Sequence, residues 1–402
     1  MSVKSPVHSK KKDTLNVTTA AKKQQDYVVN ARRIMHRIPE LGWQESKTID
    51  FILNQIEQVT PFIPFDVQIK EYKGGICVDV TIDPDLERIL FRADVDGLPI
   101  EELTGLPFAS VHKGLMHACG HDCHSAMLLG AFRSLATGTV PKKNIRFIWQ
   151  RAEELFDQKS GGATLVDEGV TDNISKVYGL HLSTPREAGT LLSRPGSMMA
   201  NAAHIQMEIG CTGGHVMHPE LGSNAIDIIT DIHMALRNFA MRTVGPAETI
   251  AFTPSVSKAG DTENIMPNHA HIGYSIRNFL PPEQLHTFLV RLRHQVESII
   301  QIYPEAKLKK FEYLPGFPAL INDDSSYQTT KDLLISHKLK TGDCPLLFSG
   351  EDFAYYAQKK PGSFWMLGAK QGPGYDHHTP YFNPDESILW VGVAYWLAIA
   401  TA

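Results

Sequence analysis

The sequence predicts an α/β fold: a three-layer αβα domain built on a largely parallel sheet, interrupted by an inserted ferredoxin-like α+β domain. Three observations predict it. Short apolar runs of strand character alternate with segments of helical periodicity through the first half of the chain. Near Arg194 the rhythm changes to strand, helix, strand, strand, helix, the order of a split βαβ module. A chain of 402 residues also exceeds what one hydrophobic core usually organises, which favours two domains.

The elements follow in order. Residues 1–25 carry the basic cluster Lys10, Lys11 and Lys12 without an apolar core and read as a flexible tail. From Tyr27 to Val59, apolar positions such as Val28, Met35, Ile49, Ile52 and Ile56 recur at helical spacing, and Pro39 and Gly42 divide them into two helices. Residues 76–82, 89–91 and Asn144–Gln150 read as strands, with a helix over 125–135. The inserted domain spans 194–312 with Pro195-Gly196 as a hinge. It contains strands at 204–209, 250–256 and 269–277 and helices at 225–239 and 282–302. The larger domain is then 26–193 and 313–402, closing in the apolar stretch 388–400.

Composition narrows the function classes. Hydrophobic residues at 43% and charged residues at 21% are those of a folded globular protein. A net charge of −5 argues against nucleic acid or an anionic membrane as partner. No apolar run approaches the roughly 18 residues of a membrane span, and no apolar segment follows the N-terminal lysines as in a secretory signal, so the expected compartment is the cytoplasm. Five cysteines, an odd set in a large chain, fit reduced thiols.

In an α/β sheet, sites gather at the carboxyl ends of strands. Three chemically loaded segments fall there: Arg92-Ala-Asp-Val-Asp96, Arg151-Ala-Glu-Glu154, and His181. The densest cluster is His117-Ala-Cys-Gly-His-Asp-Cys-His124. Gly120 lets the chain turn tightly so that Cys119 and His121 can reach one centre, with Asp122 supporting the imidazole or capping the next helix. His117, Cys123 and His124 read as packed residues. Adjacent strand residues point opposite ways, so Glu153 and Glu154 can take two jobs, one as metal ligand and one as general base. His377 and His378 lie on a Pro- and Gly-rich loop that can close such a site, and spacing does not choose between them.

The combined order Arg-Ala-Asp-x-Asp, His-Ala-Cys-Gly-His-Asp, Ala-Glu-Glu, Gly-Leu-His, Gly-Gly-His, Asn-x-x-Pro and His-x-Pro-x-Phe resembles the amidohydrolase branch of metallopeptidase family twenty. That branch holds hippurate hydrolases, aminoacylase-like enzymes and indole-acetyl-amino-acid hydrolases. The resemblance runs from about Tyr27 to the C-terminus. It implies a two-metal centre held by Cys119, His121, Glu154, His181 and His378, with Cys119 bridging, Glu153 as general base, and Asp94 and Asp96 supporting the ligands. It further implies that the inserted domain is a lid and dimerisation domain. There His215 would reach a substrate carbonyl, often across a dimer interface, while Asn264 and Arg277 would hold the substrate carboxylate. Relatives commonly continue Gly-Gly-His with Pro-His and Asp-Pro, where this chain has Pro219-Glu220 and Asn224-Ala225, which leaves substrate preference open.

The expected activity is cleavage of N-acyl amino acids, N-acetyl or aroyl, to a carboxylate and a free amino acid by metal-activated water. The expected ions are two divalent metals per chain; zinc or manganese is favoured, and cobalt or nickel is admitted by the mixed ligands. The expected assembly is a homodimer through the inserted domain. Rival readings are a dipeptidase or aminopeptidase of the same family, a non-catalytic metal-binding protein, and a redox or mononuclear zinc protein using Cys119 and Cys123.

Overall fold

Eight strands form one mixed sheet in a computed structural model that describes residues 16–156, 159–245 and 249–402. Their order is Asp66–Tyr72, Gly75–Thr81, Asn144–Gln150, Arg88–Asp94, Lys176–Ser183, Gly362–Gly368, Thr190–Ser193 and Lys340–Asp343. The four central strands, Asn144–Gln150 to Gly362–Gly368, are mutually parallel. Antiparallel pairs flank them, so the sheet is less uniformly parallel than predicted. Its middle follows from sequence: Ile89, Leu90 and Phe91 are continuously apolar and buried, as a strand covered on both faces requires.

Ile89 and Phe91 face one core with the helices Gln25–His36, Ser46–Val59, His121–Ala136 and Leu389–Ala400. Leu90 faces the other, with Leu165 of Gly161–Asp167 and Tyr356 of Ala354–Lys359. These are the three predicted αβα layers. Leu389–Ala400 is apolar on every side because it is buried on nearly every side.

A second, four-stranded antiparallel sheet runs Ile250–Ala259, His269–Asn278, Asn201–Gly210 and Lys307–Pro315. Helices Ala225–Leu236 and Pro282–Ile300 cover it through Ile228, Ile232, Leu292 and Val296. The sequence-based boundary at 312 cuts through the fourth strand. Lys307, Lys309 and Lys310 hide that strand's alternation, which an edge position tolerates.

The tail assignment also changes. Lys10, Lys11 and Lys12 lie outside the described residues, but Val17–Lys22 is a helix whose N-terminus is capped by the Asn16 side chain, which accepts from Thr19 N–H at 3.1 Å. Val17 and Ala21 are buried against the larger core, so the segment belongs to that domain. The helix predicted over 125–135 starts four residues earlier, at His121. Among the described residues, no helix is long and apolar enough to cross a membrane.

Candidate metal centre and active site

The three loaded segments end three adjacent parallel strands: Asn144–Gln150, Arg88–Asp94 and Lys176–Ser183. Between the first two strands in sequence, the chain reaches Gly120, whose φ of 91° starts the helix His121–Ala136 with a left-handed turn. That turn separates Cys119 from the first helical residue, His121, while leaving both buried in one cleft.

The side chains converge. The Nδ1 atom of His121 is 3.0 Å from Asp96 Oδ1, which fixes the ring so that Nε2 faces the cleft. Nε2 itself has no hydrogen-bond partner among the described residues and lies 4.0 Å from Glu153 Oε2 and 3.9 Å from Glu154 Oε1. His181 is set the same way: Nδ1 meets the Leu182 carbonyl at 2.7 Å, and Nε2 stands 3.5 Å from Cys119 Sγ. Glu154 Oε1 is 3.1 Å from His378 Nε2. Donor atoms of Cys119, His121 and His181 form one mutually close group, and those of Cys119, Glu154 and His378 form another, with Cys119 common to both.

This cluster is electrostatically unbalanced without a cation. Burial and then the carboxylates of Glu154 and Glu153 push the Cys119 thiol well up, away from the thiolate form. Burial alone would lower His121, yet Asp94 and Asp96 override it and push the imidazole up to about 10, so the site favours positive charge. Burial, with His124 and His377 nearby, drives His181 well down to a neutral imidazole. Burial opposes ionisation of Glu154, but His378 and His121 outweigh it and hold the carboxyl below its usual range. His121 Nε2, buried without a hydrogen-bond partner among the described residues, and the mixed sulfur, nitrogen and oxygen donors around it therefore fit divalent metal.

The structure separates the two loop histidines. His378 has a left-handed backbone, φ 59°, and turns toward Glu154 and Cys119. Both ring nitrogens of His377 meet oxygens instead, Leu182 O at 3.0 Å and Asp376 Oδ1 at 3.0 Å. His124 bridges Asp94 Oδ1 at 2.6 Å and the Leu182 N–H at 2.8 Å, in the packing role expected for it. Asp122 does not support His121; it is buried against Arg32 and His36, both 2.8 Å away.

Strand alternation does not divide Glu153 from Glu154. The strand ends at Gln150, and both glutamates lie beyond it, after Ala152 with φ 52°, so both approach His121. What divides them is environment. Glu154 faces imidazoles, whereas Glu153 is buried beside Glu351 and Asp352. Burial, then Glu351 and Glu154, push its pKa well up, as suits a proton acceptor that must later donate.

Sequence reading missed that second acidic layer. Arg92 ties it together: Nη2 is 3.1 Å from Glu351 Oε1 and 2.5 Å from Asp352 Oδ1, Nη1 is 2.6 Å from Asp94 Oδ2, and Nε is 2.9 Å from Gln150 Oε1. The available signal was Glu351-Asp-Phe353, two adjacent acids entering an otherwise apolar segment.

A cavity of about 800 Å³ opens over the cluster and is lined by Arg277 and His204 from the smaller sheet and by Phe156, Phe317, Met199 and Leu347 among others. Arg277 thus lines the same cavity as the cluster, whereas within one chain His215 and Asn264 line a separate groove in the smaller domain.

A profile of peptidase family M20/M25/M40 matches residues 90–402. The chain is 33% identical over 392 residues to N-acetyl-L-cysteine deacetylase of Bacillus subtilis, covering 95% of this chain and 88% of that protein. It is 32% identical over 376 residues to N-acetyldiaminopimelate deacetylase of Streptococcus pneumoniae, covering 91% and 96%. Among solved structures, it is similar to a dinuclear metal binding peptidase of the M20 family from Bacillus subtilis. That match has a TM-score of 0.81 and 28% identity, covering 94% of this chain and 98% of the other.

Proposed function

Because the chain belongs to peptidase family M20/M25/M40, we propose that it is a metal-dependent amidohydrolase that cleaves N-acyl amino acids to a carboxylate and a free amino acid. One observation carries this reading: five potential ligands, Cys119, His121, Glu154, His181 and His378, surround a cleft in which Glu153 stands beside them in a different electrostatic environment.

In this reading the five residues hold two divalent ions, with the Cys119 sulfur shared between two ligand groups. When bound, such ions supply Lewis acidity at the scissile carbonyl and make water a better nucleophile near neutral pH. Glu153 accepts the proton of the attacking water and returns it to the leaving amine nitrogen. Asp96 and the Leu182 carbonyl keep His121 and His181 in the tautomer that presents Nε2. Arg277 takes the substrate α-carboxylate, for which a guanidinium fork is suited. From a second chain in a homodimer formed through the smaller domain, Asn264 assists it and His215 reaches the substrate carbonyl. Zinc or manganese suits the mixed donors. The five cysteines are unpaired, which suits work in the cytoplasm.

A panel of N-acyl amino acids, varied separately at the acyl and amino-acid sides, tests the reading before and after chelation and after metal return. Turnover that is lost with chelation and restored by zinc or manganese is the expected result. Full activity of metal-free protein, or no turnover across the panel, would overturn it.

A further inference from the structure

Two residues beyond Glu154, the Phe156 side chain crosses from the base-bearing loop to the smaller domain. The Arg277 guanidinium carbon lies 5.0 Å from the centre of its ring. The same ring meets His204 edge-on at 4.8 Å and Phe317 edge-on at 5.5 Å. It is seated over Gly316, where a Cβ would come within 2.2 Å of the ring. Gly316 and Phe317 are in turn bound to Ala202 by backbone hydrogen bonds of 2.9 Å each. The ring thus occupies a fitted socket, and one wall of that socket is the cation.

Arg277 needs such a support. It sits on the strand His269–Asn278, and among the described residues its buried Nη1 has no hydrogen-bond partner. An arginine left alone must freeze several rotatable bonds when a carboxylate arrives. Stacking on an aromatic face holds the flat side of the guanidinium and leaves its in-plane N–H edges for the cavity.

We infer that Phe156 is a positioning residue that presents the Arg277 fork to the substrate and so sets the preference for a free α-carboxylate. This rests on the carboxylate role proposed for Arg277.

The experiment compares N-acetyl-L-methionine with N-acetyl-L-methioninamide on the metal-loaded enzyme, for wild type, Arg277→Met, Phe156→Leu and Phe156→Tyr. Binding of both compounds to the Glu153→Gln background is followed by calorimetry. Wild type should favour the acid, and Arg277→Met should erase that preference. Phe156→Leu should weaken binding of the acid about tenfold, within the range of a desolvated cation–π contact, through KM and not kcat, while leaving the amide little changed. Phe156→Tyr, which keeps the aromatic face, should retain the preference. An unchanged acid-to-amide ratio in Phe156→Leu, or an equal loss on both compounds, overturns the inference while the role of Arg277 stands. If wild type itself does not favour the acid, or neither compound is bound or turned over, the role of Arg277 fails first and takes this inference with it.

Discussion

Asp96 joins His121 to Glu154: its Oδ1 atom lies 3.0 Å from His121 Nδ1, and its Oδ2 atom accepts the Glu154 N–H at 2.9 Å. One carboxylate therefore aims the His121 imidazole and anchors the backbone of Glu154, the two being candidate ligands. Asp96→Ala should lower metal affinity about tenfold to a hundredfold, the usual cost of losing a group that orients a ligand. Chelator competition measures it, and an unchanged affinity would remove Asp96 from the site.

Glu153 and Glu154 should separate cleanly on mutation. Glu153→Gln should keep its full metal content and lose at least about a hundredfold in kcat, the lower range for a general acid–base group. Glu154→Gln should lose metal as well as activity. Elemental analysis beside kinetics distinguishes them, and near-normal turnover in Glu153→Gln would end its role as base.

For the adjacent histidines, His378→Ala should lose bound metal, whereas His377→Ala should retain it, because the ring nitrogens of His377 already meet Leu182 O and Asp376. The reverse pattern in metal stoichiometry would exchange the assignments.

A trans role for His215 predicts complementation. Mixing His215→Ala with Glu153→Gln chains under conditions that exchange subunits should recover about a quarter of wild-type activity, since half the dimers are mixed and each carries one intact site. Absence of recovery in a mixture shown to contain mixed dimers would confine His215 to its own chain.

Glu45 offers a test by pH. It is fully buried, its Oε1 accepts the Ala152 N–H at 2.7 Å, and burial, reinforced by Asp96, pushes its pKa from 4.5 up to about 7. Between those two values the folded protein holds a proton that the unfolded chain has released, so stability falls as pH rises from about 4.5 to 7 and is level above. Glu45→Gln should flatten that slope, by up to about 3 kcal/mol across the interval. Urea unfolding at several pH values reads it, and parallel profiles for the two proteins would contradict the assignment.

Much of the site was legible because its chemistry is local. Cys119, Gly120 and His121 announce a tight turn between two ligand types, and His181 follows an apolar strand that the central sheet requires. His378 was not legible from spacing, because a left-handed backbone at that residue decides which neighbour turns inward. The strand Lys307–Pro315 was obscured by lysines that an edge accepts. Arg92, Glu351 and Asp352 escaped because their meaning is mutual: 260 positions of sequence separate Arg92 from Asp352, and only the fold places them in contact.

The two sheets also behave as the jaws of a caliper. Glu153 lies on the loop that follows a strand of the larger sheet and Arg277 on a strand of the smaller, and the chain passes between them near Asn201 and again near Gly316. On the roles proposed for Glu153 and Arg277, the gap between a substrate's amide and its carboxylate would be set at those two crossings. Substitutions there would recalibrate accepted substrate length without altering any atom that performs the chemistry.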